Sequence, residues 1–193
     1  MLAAAAGDDV VEQLLVQANG TVAGGDDLTQ QVDGPSSLSL SVDGSVLGIG
    51  ETASSSVVLY RDGAYQSQLS SAVADGLDGL ADLVLDTSES YFFTAGRDEQ
   101  AVGVVRVRPR RPGAAQQMRA VDAAREGLDG VSELLQPTDL AVMPGTSCVY
   151  VGATGSSALV VFEASSDAGS PPLFSDGFES GDVAAWSEAL GSP

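Results

Sequence analysis

Residues 37–61 read SLSLSVDGSVLGIGETASSSVVLYR. Ser37–Ser41 alternates polar and apolar residues, as a strand with one packed face does. Asp43-Gly44 follows, then the β-rich runs Val46–Gly50 and Ser56–Arg61, joined by Glu51–Ser55. Asp-Gly between two such runs is a hairpin signal, because glycine supplies the positive φ that the turn needs. The stretch recurs. With Ser45, Ser90 and Ser147 in one column, Leu38-Ser39-Leu40 falls over Leu83-Val84-Leu85 and Leu140-Ala141-Val142. Val57–Arg61 likewise falls over Val102–Arg106 and Leu159–Glu163. Met1 in the same column puts Ala6 over Gly50, Ala95 and Gly152, and Leu15-Val16-Gln17 over Leu59-Tyr60-Arg61. A period of about 45 residues with several short strands per unit is the mark of a β-propeller blade.

The expected architecture is therefore all-β: an incomplete propeller of about three and a half four-stranded blades, with an irregular C-terminal tail. The partial blade spans 1–32, and fuller blades span 36–70, 81–107 and 138–163. A fourth strand fits Ala64–Ser70 and, in the first copy, Leu28–Val32. The longer interval before the last copy reads as an insertion over 107–126, a solvated arginine-rich loop with a helical turn near Ala114–Arg125. Copy three has Thr87-Ser88-Glu89 where copy two has Asp-Gly, and copy four has Pro144-Gly145. Residues 164–193 form a Ser/Gly/Pro-rich linker and an acidic aromatic tail.

Composition narrows the chemistry. The 193 residues carry 27 acidic against 8 basic side chains, a net charge of −19, and no histidine. All eight cations are arginines. Such a field repels phosphate backbones and anionic lipid, which argues against nucleic acid and membrane as partners. Without histidine or lysine there is no Ser-His-Asp or Cys-His nucleophile, no imidazole metal ligand and no Schiff base. The lone Cys148 reads as a small apolar residue on a strand. No apolar run reaches the length of a membrane helix, and Met1–Ala6 lacks the basic start of a signal peptide.

In a propeller, the connections from second to third strand and from fourth strand to the next blade share one face. That face receives Asp33, Asp78 and Asp129 from one set and Asp8, Asp9, Glu51, Asp98 and Glu99 from the other, with Arg97 as its cation. Asp33, Asp78, Asp98, Glu99 and Asp129 are the candidate metal ligands. Calcium is the hard cation that a ring of carboxylates and carbonyls suits, although no D-x-D-x-D-G loop is present. If a lactone were hydrolysed there, Asp78 or Asp129 would activate water and Arg97 would steady the anion. The plainer reading is a solvated acidic rim.

Gly76-Leu77-Asp78-Gly79 and Gly127-Leu128-Asp129-Gly130, each before a strand, together with the aromatic or branched strand ending in small residues, the acidic loop and the V-x-V strand, resemble the lactonase-type (6-phosphogluconolactonase-like) β-propellers. The resemblance covers residues 1–17, 36–61, 76–106 and 127–163. It implies the propeller fold and a group that holds both sugar lactonases and non-catalytic propellers. No catalytic residue of that group maps onto this chain one by one. Blades of this size need roughly 300 residues or more to close a ring, so the chain reads either as a piece of a longer reading frame or as a half-ring that self-association completes. The tail, with Asp176-Gly177-Phe178-Glu179-Ser180-Gly181-Asp182 and then Trp186, looks like a segment that ends some secreted bacterial proteins. That implies an extracellular or periplasmic place; the same residues equally read as an aromatic cap on the last blade. Three functions follow as expectations: a non-catalytic binding or scaffold surface, a fragment of a sugar-lactone hydrolase, and a calcium-stabilised surface module.

Overall fold

The computed structural model describes residues 2–5, 7–19, 21–27, 32–108, 117–127, 131–143, 146 and 148–163. They form fourteen strands in four antiparallel sheets. The first sheet holds β1 (Leu2–Ala5), β2 (Val10–Val16) and β3 (Val22–Asp27); the second holds β4 (Pro35–Leu40), β5 (Val46–Glu51), β6 (Ser56–Arg61) and β7 (Ala64–Ser70). The third holds β8 (Leu80–Leu85), β9 (Tyr91–Gly96), β10 (Ala101–Val107) and β11 (Met118–Arg125). The fourth holds β12 (Pro137–Val142), β13 (Cys148–Ala153) and β14 (Ala158–Glu163). Each sheet is a simple up-and-down meander, and the leading strands β4, β8 and β12 adjoin one another. This is the blade arrangement of an incomplete propeller.

The cores lie between sheets, because period-2 side-chain alternation sends each strand's apolar residues to both neighbours. Val11, Leu47, Ile49, Val58 and Tyr60 fill the first junction. Val57, Leu59, Leu80, Leu83, Phe92 and Val105 fill the second. Phe93, Val102, Val149, Val151 and Val160 fill the third. On β10, Val105 and Val107 face one junction while Val102 and Val104 face the other. Backbone donors also cross between leading strands: Leu85 N–H donates to Ser39 Oγ at 2.7 Å, and Leu140 N–H donates to Asp82 Oδ2 at 2.8 Å.

Several sequence expectations are corrected. The first copy fits two residues out of the proposed column. Ala5 opposes Val10 as Glu51 opposes Ser56, so Val11 takes the place of Val57. The backbone confirms this shift, since Asp9, Ser55, Gln100 and Ser157, each ending the turn between second and third strands, all have φ between 48° and 56°. The alanine run of residues 3–6 offers no landmark by which the sequence alone could set the register. The fourth strand of that copy is β3 at Val22–Asp27; Leu28–Gln31 lie outside the described residues. Residues 118–125 are the strand β11 where a loop with a helical turn was expected. Alanine and arginine favour helix by intrinsic propensity, but Met118 and Ala120 pack on the second junction and the segment pairs with β10 through a bulge.

The turn of the third sheet shows how one blade dispenses with Asp-Gly. The Asp86 carboxylate accepts the N–H groups of Ser88 (3.1 Å), Ser90 (2.8 Å) and Tyr91 (2.8 Å), with Glu89 left-handed at φ 56°. In the second sheet Asp43 Oδ1 accepts Ser45 N–H at 2.8 Å and the Ser41 hydroxyl at 2.7 Å, with Gly44 at φ 75°. Those donors, Ser45 N–H foremost, hold the Asp43 carboxyl down at about 2.

Candidate functional site

In the second, third and fourth sheets the turn after the second strand meets the connection that leads into the same sheet, and backbone bonds make the meeting recur. Thr52 N–H donates to Gly34 O at 3.3 Å, Asp98 N–H to Asp78 O at 3.2 Å, and Thr154 N–H to Gln136 O at 3.0 Å. Carboxylates then fasten the same connections. Glu51, which ends β5, is fully buried. Its Oε1 accepts Asp33 N–H at 2.8 Å, while Oε2 accepts Ser54 Oγ (2.6 Å), Ser56 Oγ (2.5 Å) and Gln68 Nε2 (3.0 Å). All of these donors are neutral, so a buried carboxylate is stabilised by hydrogen bonds alone.

Glu99 does the same work one blade on. Its Oε2 accepts Gly76 N–H at 2.6 Å, and its Oε1 accepts Arg125 from β11 at 2.5 Å. Arg125 also reaches Asp75 at 2.6 Å, bridging the strand to the connection. Asp9 accepts Gly34 N–H at 2.7 Å and Glu126 accepts Leu134 N–H at 2.5 Å. Glycine is required where these connections pass closely: a Cβ on Gly76, at φ 79°, would stand 2.4 Å from the Gly103 backbone. Thr94 Oγ donates to Gly76 O at 2.8 Å from the adjoining strand.

The expected site residues thus separate. Asp78 and Asp98 come together at the junction of the second and third sheets, both exposed. The Asp98 carboxylate lies beside Gly79 and pairs with Arg97 at 3.1 Å, and Asp78 accepts the Ser55 hydroxyl at 3.2 Å. Asp33 is exposed and joins the network through its backbone N–H. Glu99 is drawn away into its pair with Arg125. Asp129 lies outside the described residues. Among the described residues no three histidine, cysteine, aspartate or glutamate side chains are grouped to hold a metal ion.

Arg125, Asp75 and Gln68 were not picked out from the sequence, because their role depends on where β7 and β11 run. Asp82, on the leading strand β8, was also missed. Its carboxylate accepts Leu83 N–H and Leu140 N–H, each at 2.8 Å. Burial pushes its pKa up, the two N–H donors oppose that, and nearby Asp139 adds to the rise. Asp82 and Asp139 occupy the column that Ser37 holds in the second copy, and that alignment is the signal that could have found them.

No family model matches the chain, and no curated protein matches it in sequence. Solved structures do match in fold. One is a candidate 6-phosphogluconolactonase from Bacteroides uniformis ATCC 8492, at 17% identity and TM-score 0.71, over 92% of this chain and 50% of that one. Another, a protein from Lactobacillus plantarum, is 16% identical with TM-score 0.68, over 90% and 53%. A candidate 6-phosphogluconolactonase from Bacteroides fragilis NCTC 9343 is 13% identical with TM-score 0.57, over 89% and 55%. The chain shares the lactonase-like propeller fold and spans about half the length of these proteins.

Proposed function

We propose that this chain is a propeller segment that acts as a binding or scaffold surface, with no catalysis at its loop face. The observation that carries the reading is the saturation of Glu51 by four donors, with Glu99 tied to Gly76 and Arg125. A carboxylate as full as Glu51 has no lone pair aimed at a substrate, and the work of both is to hold the connections in place. Asp33, Asp78 and Asp98 are left facing outward as an acidic surface. The ligand such a surface recognises is a cationic polypeptide, drawn by charge and weakened by salt. The likeness of the tail to segments that end some secreted bacterial proteins supports a place outside the cytoplasm.

The test is fluorescence anisotropy of a labelled lysine-rich peptide with the chain and with its Asp78→Asn/Asp98→Asn variant. Saturable binding that weakens with salt and in the variant is the expected result. Lactone hydrolysis that scales with protein and disappears in the same variant would overturn the reading.

A second reading, part of a sugar-lactone hydrolase, is favoured by the fold shared with the two Bacteroides proteins, with the half-buried Asp82 carboxyl as its candidate residue. Hydrolysis of 6-phosphogluconolactone that is lost in Asp82→Asn would select it.

A further inference from the structure

We infer that the open face of the fourth sheet is a docking surface for the chain's own C-terminal aromatic segment, Phe174 to Trp186. The repeat defines that face. Val57 and Leu59 in the second sheet, and Phe93 and Val102 in the third, point toward the following sheet and are at most 6% exposed. Tyr150, Leu159 and Val161 hold the same columns in the fourth sheet; Tyr150 and Val161 are directly paired across β13 and β14. Leu159 is 39% exposed where its counterpart Val102 is 4% exposed. Three apolar side chains built to lie under a neighbouring blade therefore have no neighbouring sheet among the described residues.

The occupant is argued from the chain that follows. β14 ends at Glu163, and thirty residues continue from its end, at the margin of the open face. They include Leu173, Phe174, Phe178, Val183 and the single tryptophan, Trp186. Stacked repeats need a terminal unit that covers the last apolar face, and a short aromatic segment offers large buried area for little chain. A second copy is the less fitting occupant. Its first sheet would bring Glu12, on the side opposite to Val11, against Leu159 and Val161, and a carboxylate there lacks a partner.

Trp186 is its own reporter. In the full chain its emission should be blue-shifted and protected from acrylamide. Leu159→Asp, with far-UV circular dichroism unchanged, should shift the emission red and remove the protection. Phe178→Ser, far from the described sheets in sequence, should act in the same direction, which separates loss of docking from loss of folding. Emission typical of water-exposed tryptophan in the unmodified chain would overturn the inference. So would unaltered emission in both variants, or light scattering that shows a dimer dissociated by Leu159→Asp with no change in Trp186.

Discussion

Asp33 gives its backbone N–H to Glu51 at 2.8 Å, across the gap between the end of one sheet and the turn of the next. Because Glu51 is fully buried and answers four donors, Glu51→Ala should leave those donors in a dry site without an acceptor. A loss of about 3 kcal/mol is expected, the cost of orphaned buried polar groups. Glu51→Gln, which keeps one acceptor oxygen, should lose less. Urea denaturation of the two variants measures both, and an Ala variant as stable as the wild type would refute the account.

Gly76 should tolerate no side chain. Its φ of 79° and the 2.4 Å approach to the Gly103 backbone oppose alanine together. Gly76→Ala is expected to cost more than about 2 kcal/mol, whereas alanine at Gly7, where a Cβ meets nothing within 4 Å, should cost little. The paired melting curves decide it.

Asp82 should make the fold more stable in acid than a normal aspartate would. A raised pKa in the folded state means that the fold binds the proton more tightly than the unfolded chain, so stability falls as pH rises through that value. Asp82→Asn keeps an acceptor for only one of the Leu83 and Leu140 N–H groups, so the test is how its melting temperature relative to the wild type changes with pH. The variant should compare more favourably with the wild type at pH 7 than below the usual aspartate value of 3.8. A difference that does not change with pH, or that changes in the opposite sense, would contradict the buried-carboxyl explanation.

Asp43 behaves in the opposite sense. Its carboxyl is held down at about 2 by the Ser45 N–H first and the Ser41 hydroxyl second. Its hold on the turn is present above the ordinary value of 3.8 and fades as the pH falls toward 2. An NMR titration of the Asp43 side chain should have its midpoint near 2, and Ser41→Ala should move it upward.

Much of the fold could be read from residues alone wherever a landmark breaks the alternation. Asp43-Gly44 set the hairpin β4–β5, and the fourth strand read at Ala64–Ser70 is β7. Where landmarks are weak the reading slipped: the alanines of β1 allowed a two-residue error, and the alanine-arginine run of β11 has a helix former's propensity that sheet pairing overrides. The loop-face acidity was legible as composition, but which carboxylates turn inward was not. Glu51 and Glu99 differ from Asp78 and Asp98 by what lies beneath them, and that depends in part on distant segments, 18 residues away for Asp33 on Glu51 and 26 for Arg125 on Glu99. Asp82 shows the same limit, since its raised pKa comes from burial in the folded chain, with Asp139 of another sheet adding to the rise.

Because the apolar side chains are shared between adjoining sheets, the natural unit of cohesion is the seam. Among the described residues the first and fourth sheets are held on one side, and the second and third on both. Fraying should begin at an outer sheet and travel inward seam by seam, so that hydrogen exchange in Phe92 and Val58 outlasts that in Val149 and Val11. A lesion in a terminal sheet then removes one seam, while a lesion between the second and third divides the molecule into two pairs.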